Sequence, residues 1–337
     1  MAFQRFNRAN DIVENQKTTI SSGLWSGGSS TLTSFYTQSS NGNITGSFLE
    51  TYNINPSSSA AEVQFALGYA HIDGSGSAGN TTKLTTGGRQ TAALYRQFRN
   101  LLLPPNSDNI EFTGGSTISK KDFYFISFQR ARQREKVDPG NWELHLDSGG
   151  AKVKLIDDSG ASTNPTVNQG GRVFNVVSGT ISEGIETAAA SEAGDGAYGL
   201  FYPDLGIILL NAQKLDDDVA DISTTRSSDT FDNNPQVLYN SIVQGAYFQA
   251  RREEEISSTN YFCRVNNRNF NFSTNPTFAT ASDGSFTQAT FFKDPKTFIT
   301  QVGLYNDANE LLAIAKLSKP ILKSYSREAI IKVKLDF

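Results

Sequence analysis

The feature that most constrains this chain lies beyond residue 257, where short runs of aromatic and β-branched residues follow one another between turn residues. Such runs, bounded by Asn, Asp, Gly and Pro, are the pattern of β-strands. They fall at 261–265, 269–272, 286–292, 298–305, 311–317 and 329–335, and Asn306-Asp307-Ala308-Asn309 is placed to close a hairpin between two of them. Upstream, strands are expected at 62–72, 122–132, 152–156, 172–178 and 206–210, and at 142–146 after a tight Asp138-Pro139-Gly140-Asn141 turn. Only two segments carry helical spacing. In 89–103, Ala92, Leu94 or Tyr95, Phe98 and Leu101-Leu102 recur along one face, and Pro104-Pro105 stops the helix. In 235–252, Leu238, Ile242, Ala246 and Phe248 or Gln249 do the same, with Pro235 in the first turn. The expected fold class is therefore α+β and mainly β: antiparallel sheets or a sandwich, about two helices, and an extended N-terminal arm.

That arm is expected because residues 1–60 differ in texture from the rest. Between Ser21 and Ser47 isolated apolar residues (Leu24, Trp25, Phe35, Tyr36) are scattered among Ser, Thr, Asn and Gly. A flexible tail is one reading. An arm that orders by placing Trp25, Phe35 and Tyr36 on a neighbouring subunit is the other, because a solvated tail has no use for large aromatics. Three regions follow: an arm at 1–60, a β-rich body at 61–256, and a C-terminal β module at 257–337 with its hairpin at 298–317. No fixed-period repeat interrupts them.

Composition excludes several chemistries. Cys263 is the only cysteine, so neither an internal disulfide nor a cysteine-based zinc site can form. The two histidines, His71 and His145, stand far apart in sequence. No segment approaches the ~20 apolar residues of a membrane-spanning helix. The polar N-terminus lacks the apolar run of a signal peptide, which suggests synthesis and retention in a cytoplasm. A net charge of -4 argues against a nucleic-acid partner. No cofactor and no membrane partner are expected.

The motifs are weak when read against their context. Gly74-Ser75-Gly76-Ser77-Ala78-Gly79 has G-x-G-x-x-G spacing, but it is followed by polar, Gly-containing sequence rather than by a helix, so a flexible loop is the better reading. Asp216-Asp217-Asp218 with Asp221 opens an acidic excursion over 216–234 and lacks the alternating ligand pattern of a calcium loop. Asp157-Asp158 before Ser159-Gly160 reads as turn chemistry. His71 and His145 have no nucleophile elbow nearby, and no phosphate-binding loop is present. Catalytic, cofactor and metal residues are therefore not assigned, and an enzyme is not expected. Arg130, Arg132, Arg134 and Lys136 alternate with other residues, as cations along one side of an extended segment would. A subunit interface is favoured for them over a phosphate stripe. Cys263, in an apolar strand, reads as a small buried hydrophobe.

Several blocks carry a family resemblance. Residues 298–319 (FITQVGLYNDANELLAIAKLSK), with the closing IKVKLDF at 331–337, resemble virion structural proteins of T-even-like contractile-tailed phages, including marine cyanophages. So do 98–105 (FRNLLLPP), 126–146 (ISFQRARQREKVDPGNWELHL), 199–209 (GLFYPDLGIIL) and 261–278 (YFCRVNNRNFNFSTNPTF). The segment 302–315 (VGLYNDANELLAIA) is also similar to a β-module of tail-fibre and baseplate attachment proteins. The resemblance covers most of residues 60–337 and carries no catalytic signature. It implies a non-enzymatic subunit of a contractile tail, in the baseplate wedge or fibre-attachment region, that binds other tail proteins and copies of itself in multiples of six and is made in the host cytoplasm. Under this reading Ile299, Val302, Leu304, Leu311, Ala313 and Ala315, beside Tyr305, give the hairpin an apolar docking face with Lys316 and Lys319 at its rim. Two alternatives stay open. One is a neck, collar or head-surface virion protein, and the other is a receptor- or glycan-binding module centred on 266–272 (NNRNFNF).

Overall fold

The computed structural model describes residues 4–37, 48–73, 86–113, 121–149, 152–161, 166–187, 197–219, 234–280 and 282–337. The Gly74–Gly79 loop, Asp221 and most of the acidic excursion lie outside the described residues. The strands are β1 (Ile12–Gly23), β2 (Thr31–Leu32), β3 (Tyr36–Thr37), β4 (Phe48–Tyr52), β5 (Val63–His71), β6 (Asp122–Phe128), β7 (Lys136–Asp147), β8 (Lys152–Asp157) and β9 (Thr166–Asn168). They continue with β10 (Gly171–Thr180), β11 (Gly184–Thr187), β12 (Gly199–Tyr202), β13 (Ile207–Asn211), β14 (Phe248–Val265), β15 (Thr297–Tyr305), β16 (Leu311–Lys323) and β17 (Ala329–Asp336). Two helices exceed two turns, α2 (Thr86–Leu102) and α5 (Asn234–Gly245), while α1 (Arg8–Asp11), α3 (Arg130–Gln133) and α4 (Ala212–Asp218) are short. The protein is mainly β with minor helix, as the residue pattern indicates.

The chain divides into two compact units, and the division falls inside β1 and β14. Residues 20–254 form the body; residues 1–19 together with 255–337 form a second unit, here the terminal module. This partition differs from the arm, body and C-terminal region expected from sequence texture.

The body is built on an antiparallel sheet in the order β14-β7-β8-β10-β12-β13-β6-β5-β4-β3. Six strands separate β14 from β5 in this order, yet the rings of Phe248 and Phe65 lie 5.4 Å apart. The sheet therefore curls round on itself, with Phe65, Tyr124, Ile126, Trp142, Leu144, Phe201, Ile208 and Phe248 inside the curl. β6 and β13 are apolar on both faces, which explains their unbroken apolar runs. Their other face carries Phe123, Phe125, Ile207 and Leu209 beneath Tyr95, Phe98 and Leu102 of α2. The rings of Phe98 and Phe125 pack at a tilt with their centroids 4.7 Å apart.

Between β14 and β5 the curled sheet has an open seam, and residues 24–32 fill it. Leu24 N donates to Ala250 O (3.1 Å), Ala250 N donates to Ser30 O (2.8 Å), and β2 pairs with the start of β14. On the other side, Ser26 N donates to the Gln64 side chain (3.0 Å). Trp25 inserts its indole between the two edges, with ring contacts to Phe65, Phe128 and Phe248, and Nε1 donates to Phe248 O at 2.9 Å. Gly23 is obligatory here, because a Cβ would stand 2.1 Å from Gly28 O. This corrects the expectation of a free arm. Trp25 and Phe35 are 1% and 8% exposed within their own chain, and Leu24, Leu32 and Leu49 join the same core. The scattered aromatics mark places where a glycine- and serine-rich segment crosses a gap in the sheet. Of Trp25, Phe35 and Tyr36, Tyr36 remains exposed, as does Phe48 on β4.

Three further differences have local causes. The second helix ends at Gly245 rather than near 252, because Ala246 takes a left-handed conformation (φ 52°) and β14 begins at Phe248. The expected DPGN turn is instead a bulge within β7, with Asp138–Asn141 facing the single residue Arg251. Asp157 holds this bulge by accepting from Gly140 N at 2.9 Å, and burial pushes its carboxyl pKa up. The runs 269–272 and 286–292 are not strands. The described residues between 266 and 296 are irregular apart from a short 3-10 turn at Ala289–Phe292 and one bridge between Ala279 and Phe286. Their density of Asn, Pro, Gly and Ser overrides the aromatic content.

In the terminal module, the end of β14 pairs with β17 from Ser258 opposite Asp336 to Val265 opposite Ala329. β15 and β16 form a separate two-stranded ladder. Lys323, at the end of β16, is 1% exposed, and its ammonium donates to Asn267 O, Asn271 Oδ1 and Ser324 O at 2.9–3.0 Å. Three acceptors make a buried lysine tolerable, and they tie the irregular segment to the hairpin base.

Candidate functional site

The residues able to carry chemistry are occupied by structural contacts. His145 Nε2 lies 2.6 Å from Glu143 Oε1 and its ring stacks on Tyr247 at 4.5 Å, while Glu143 Oε2 accepts from Ile181 N. Both carboxylate oxygens of Glu143 are thereby engaged. His71 is buried at the end of β5, opposite Asp122, and its Nδ1 accepts from Asp73 N. Asp218 belongs to α4 and binds Tyr198 OH and Lys214 Nζ (3.0 Å), so the first part of the acidic excursion is a helix rather than a loop. Among the described residues no group of three or more His, Cys, Asp or Glu could hold a metal. Cys263 is half-buried, and burial pushes its thiol pKa up, away from the reactive thiolate.

The arginine stripe resolves into an internal network of the body. Residues 130–133 are helical rather than extended, and Arg134 has φ 56°. Arg132 binds Glu62 and Ser26, joining α3 to the segment that fills the seam. Arg134 reaches both oxygens of Glu254 (3.0 and 3.1 Å), Arg252 binds the same carboxylate at 2.8 Å, and Lys136 pairs with Glu253 at 3.0 Å. Arg130 stays exposed and donates only to Glu135 O at 3.4 Å. Arg132 and Arg134, expected at a subunit interface, make these ion pairs within their own chain.

The terminal module presents the opposite arrangement. Among the described residues, 45 of the 51 buried hydrophobic residues belong to the body and six to the module: Val265, Phe278, Ala279, Leu304, Ile331 and Val333. Of the 22 exposed large hydrophobics, 14 lie in the much shorter module. The module thus exposes more large apolar residues than it buries, and such exposure marks interaction surfaces.

The hairpin is the most ordered part of that surface. Val302 lies opposite Ala315 and Leu304 opposite Ala313, so these residues share one face, on which Leu304 is only 6% exposed. The register then slips: Leu304 pairs with Ala313 but Tyr305 pairs with Leu311, leaving Leu312 unmatched. This bulge turns Leu311 to the face opposite Leu304, which corrects the single apolar face expected from alternation. Tyr305 and Leu311 close over Gly303, where a Cβ would meet the tyrosine ring at 2.9 Å. With Leu312 and Ile314 (67% and 55% exposed) they form an apolar strip, and Lys316 continues it. A second slip sets 317–320, including Lys319, against Thr300 alone. Sequence reasoning missed Leu312 and Ile314. Their alternation with Lys316 in LLAIAK was a usable signal, masked by the assumption of an unbroken ladder.

A second exposed group gathers around Phe278. Phe272, Phe286 and Phe291 pack on its ring at 5.0–5.6 Å, and Phe292 projects beside them at 80% exposure. Thr280, Asp283 and Ser285 form a hydroxyl–carboxylate turn next to this group, which draws the Asp283 pKa down to about 2.

No helix among the described residues is long and apolar enough to cross a membrane. Comparison with models of protein families, with curated proteins and with solved structures finds no match.

Proposed function

We propose that this chain is a non-enzymatic structural subunit of a contractile phage tail, in the baseplate wedge or fibre-attachment region, and that the terminal module is the part that joins it to its neighbours. The observation that carries the reading is the unequal placement of apolar residues: among the described residues the body holds 45 of the 51 buried hydrophobics, and the shorter module holds 14 of the 22 exposed large ones. A two-stranded ladder is marginal by itself in water, so an exposed β15–β16 hairpin gains stability when a partner covers it. The resemblance of 298–319 to tail proteins names the setting in which such a partner would be found. Mass spectrometry of separated tails and heads from disassembled virions tests the placement. The chain is expected in the tail fraction, and recovery with heads or collars would move it to the neck or head surface.

One observation favours a second reading. The Phe272, Phe286 and Phe292 surface adjoins the amide-rich segment 266–272, a combination suited to stacking on sugar rings. Specific binding by the full chain on a glycan array would rank a receptor-binding module above the structural one.

A further inference from the structure

Lys323 is a nucleophile buried against a carboxamide. It is 1% exposed, and Ser324 beside it and Thr297 opposite it in the β15–β16 ladder are buried too. Of the three oxygens that its Nζ meets, two are backbone carbonyls, Asn267 O at 3.0 Å and Ser324 O at 2.9 Å. The third is Asn271 Oδ1 at 2.9 Å, and Cγ of Asn271 lies one C=O bond, about 1.2 Å, beyond it. The other end of this carboxamide is fixed as well, since Asn271 Nδ2 donates to Asn267 O at 2.7 Å. Glu328 completes the group: its Oε1 accepts from Asn267 N at 3.3 Å, and its charge acts on Lys323.

The backbone that presents Asn271 is strained. Phe270 takes φ 57°, a left-handed conformation that a bulky aromatic residue rarely adopts. Thr297 Oγ1 holds it there by donating to Phe270 O at 2.9 Å. Strain of this kind persists where the surroundings enforce it, and it gathers at functional sites. Burial lowers the Lys323 pKa and so favours the neutral amine, the form with a lone pair. One of the three N–H bonds points at Asn271, so loss of that proton leaves the lone pair directed at the carboxamide.

We infer that Lys323 Nζ attacks Asn271 Cγ and that the two side chains become joined by an amide bond, with release of ammonia. The inference is independent of the assembly the chain joins. Lys323 gives one proton to Glu328, its lone pair forms the Nζ–Cγ bond, and the Cγ–Nδ2 bond breaks. Nδ2 leaves with a second proton from Nζ and then takes the one held by Glu328. A primary ammonium and a primary amide are consumed, and a secondary amide and an ammonium ion are formed, with no oxidant or reductant. Holding amine and amide in contact removes the cost of a bimolecular encounter. Attack on either backbone carbonyl would expel an amine that stays tethered and returns, whereas ammonia from Asn271 diffuses away. The bond fastens the irregular segment to the hairpin base, so force on β15 and β16 passes through a covalent link. The free ammonium, with its hydrogen bonds and its titration, belongs to the chain before this bond forms.

Intact-mass spectrometry of the freshly purified full chain, followed during incubation at mildly alkaline pH, tests this. The wild type is expected to lose the mass of one ammonia. Asparagine can also lose ammonia by closing on its own backbone, so the position is read after trypsin digestion. Trypsin cuts after free Lys and Arg, and Pro320 shields Lys319, so the bonded chain should yield 269–293 joined to 317–327, uncut at Lys323. Lys323→Arg, which keeps the charge and donors but is no nucleophile, should retain the full mass, as should Asn271→Ala. Glu328 is exposed, so Glu328→Gln should leave the circular dichroism unchanged while slowing bond formation by about tenfold or more. Unbranched peptides ending at Lys323 throughout the incubation, ammonia loss mapped only to other residues, or a Glu328→Gln variant that reacts at the wild-type rate would each overturn the inference.

Discussion

The body and the terminal module are built from similar residues and solve opposite problems. The body wraps its sheet until Phe65 meets Phe248 and then seals the seam with Trp25, so that its apolar side chains are enclosed. The module leaves Phe298, Leu312, Ile314, Ile330 and Phe337 in solvent and fixes its irregular segment with polar bonds, chiefly those of Lys323. Burial of apolar area is what stabilises a β fold in isolation. A unit that buries less of it gains stability when its exposed strands are covered.

Substitutions should therefore behave differently in the two units. The largest effect is expected at Trp25. Removing its indole from the seam with Trp25→Ala should cost about 3–5 kcal/mol, measured by denaturant unfolding, because it opens a cavity and leaves Phe248 O without its indole donor. If Trp25→Ala instead leaves stability intact while abolishing assembly, the free-arm account returns. Next is Lys323→Met, expected to destabilise the module by about 1–3 kcal/mol by depriving one buried and two half-buried acceptors of their donor. Hydrogen exchange should show the loss confined to 266–272 and the end of β16; a loss spread through β5 and β6 would contradict the separation into units. Burial lowers the folded-state pKa of Lys323, so the unfolded chain binds the proton more tightly. Stability should then rise with pH between that lowered value and 10.5, a slope that Lys323→Met removes.

Asp283 shows the opposite linkage. Its folded pKa of about 2 lies below the ordinary 3.8, so its contribution is complete above 3.8 and disappears as pH falls through about 2. A carboxyl NMR titration gives the midpoint directly, and an ordinary value would mean that the Thr280–Ser285 turn does not form in solution. The smallest effect on stability is expected for Leu312→Ser, within about 0.5 kcal/mol, since the side chain is already exposed.

Much of this was legible in the residues. Strands such as β6 and β13 announce themselves as apolar runs, α2 by its spacing and Pro104, and the β15–β16 hairpin by Asn306–Asn309 between two patterned segments. The role of Trp25 was not, because a residue that fills a seam takes its context from β5 and β14, which are distant in sequence. The arginine stripe misled for a similar reason: its partners, Glu62 and Glu254, lie 70 and 120 residues away. In the hairpin, one bulge between Leu304 and Tyr305 changed which leucines face outward, since a slip of one residue exchanges the faces of a strand.

The central claim is that the module's apolar surface exists to be covered by a partner. Hydrogen–deuterium exchange tests it most directly, comparing the isolated chain with the same chain in purified tails. The account predicts that β15 and β16 exchange readily in the isolated chain and become protected in the particle, while β5, β6 and β13 are equally protected in both. Unchanged exchange of β15 and β16 between the two states would contradict it.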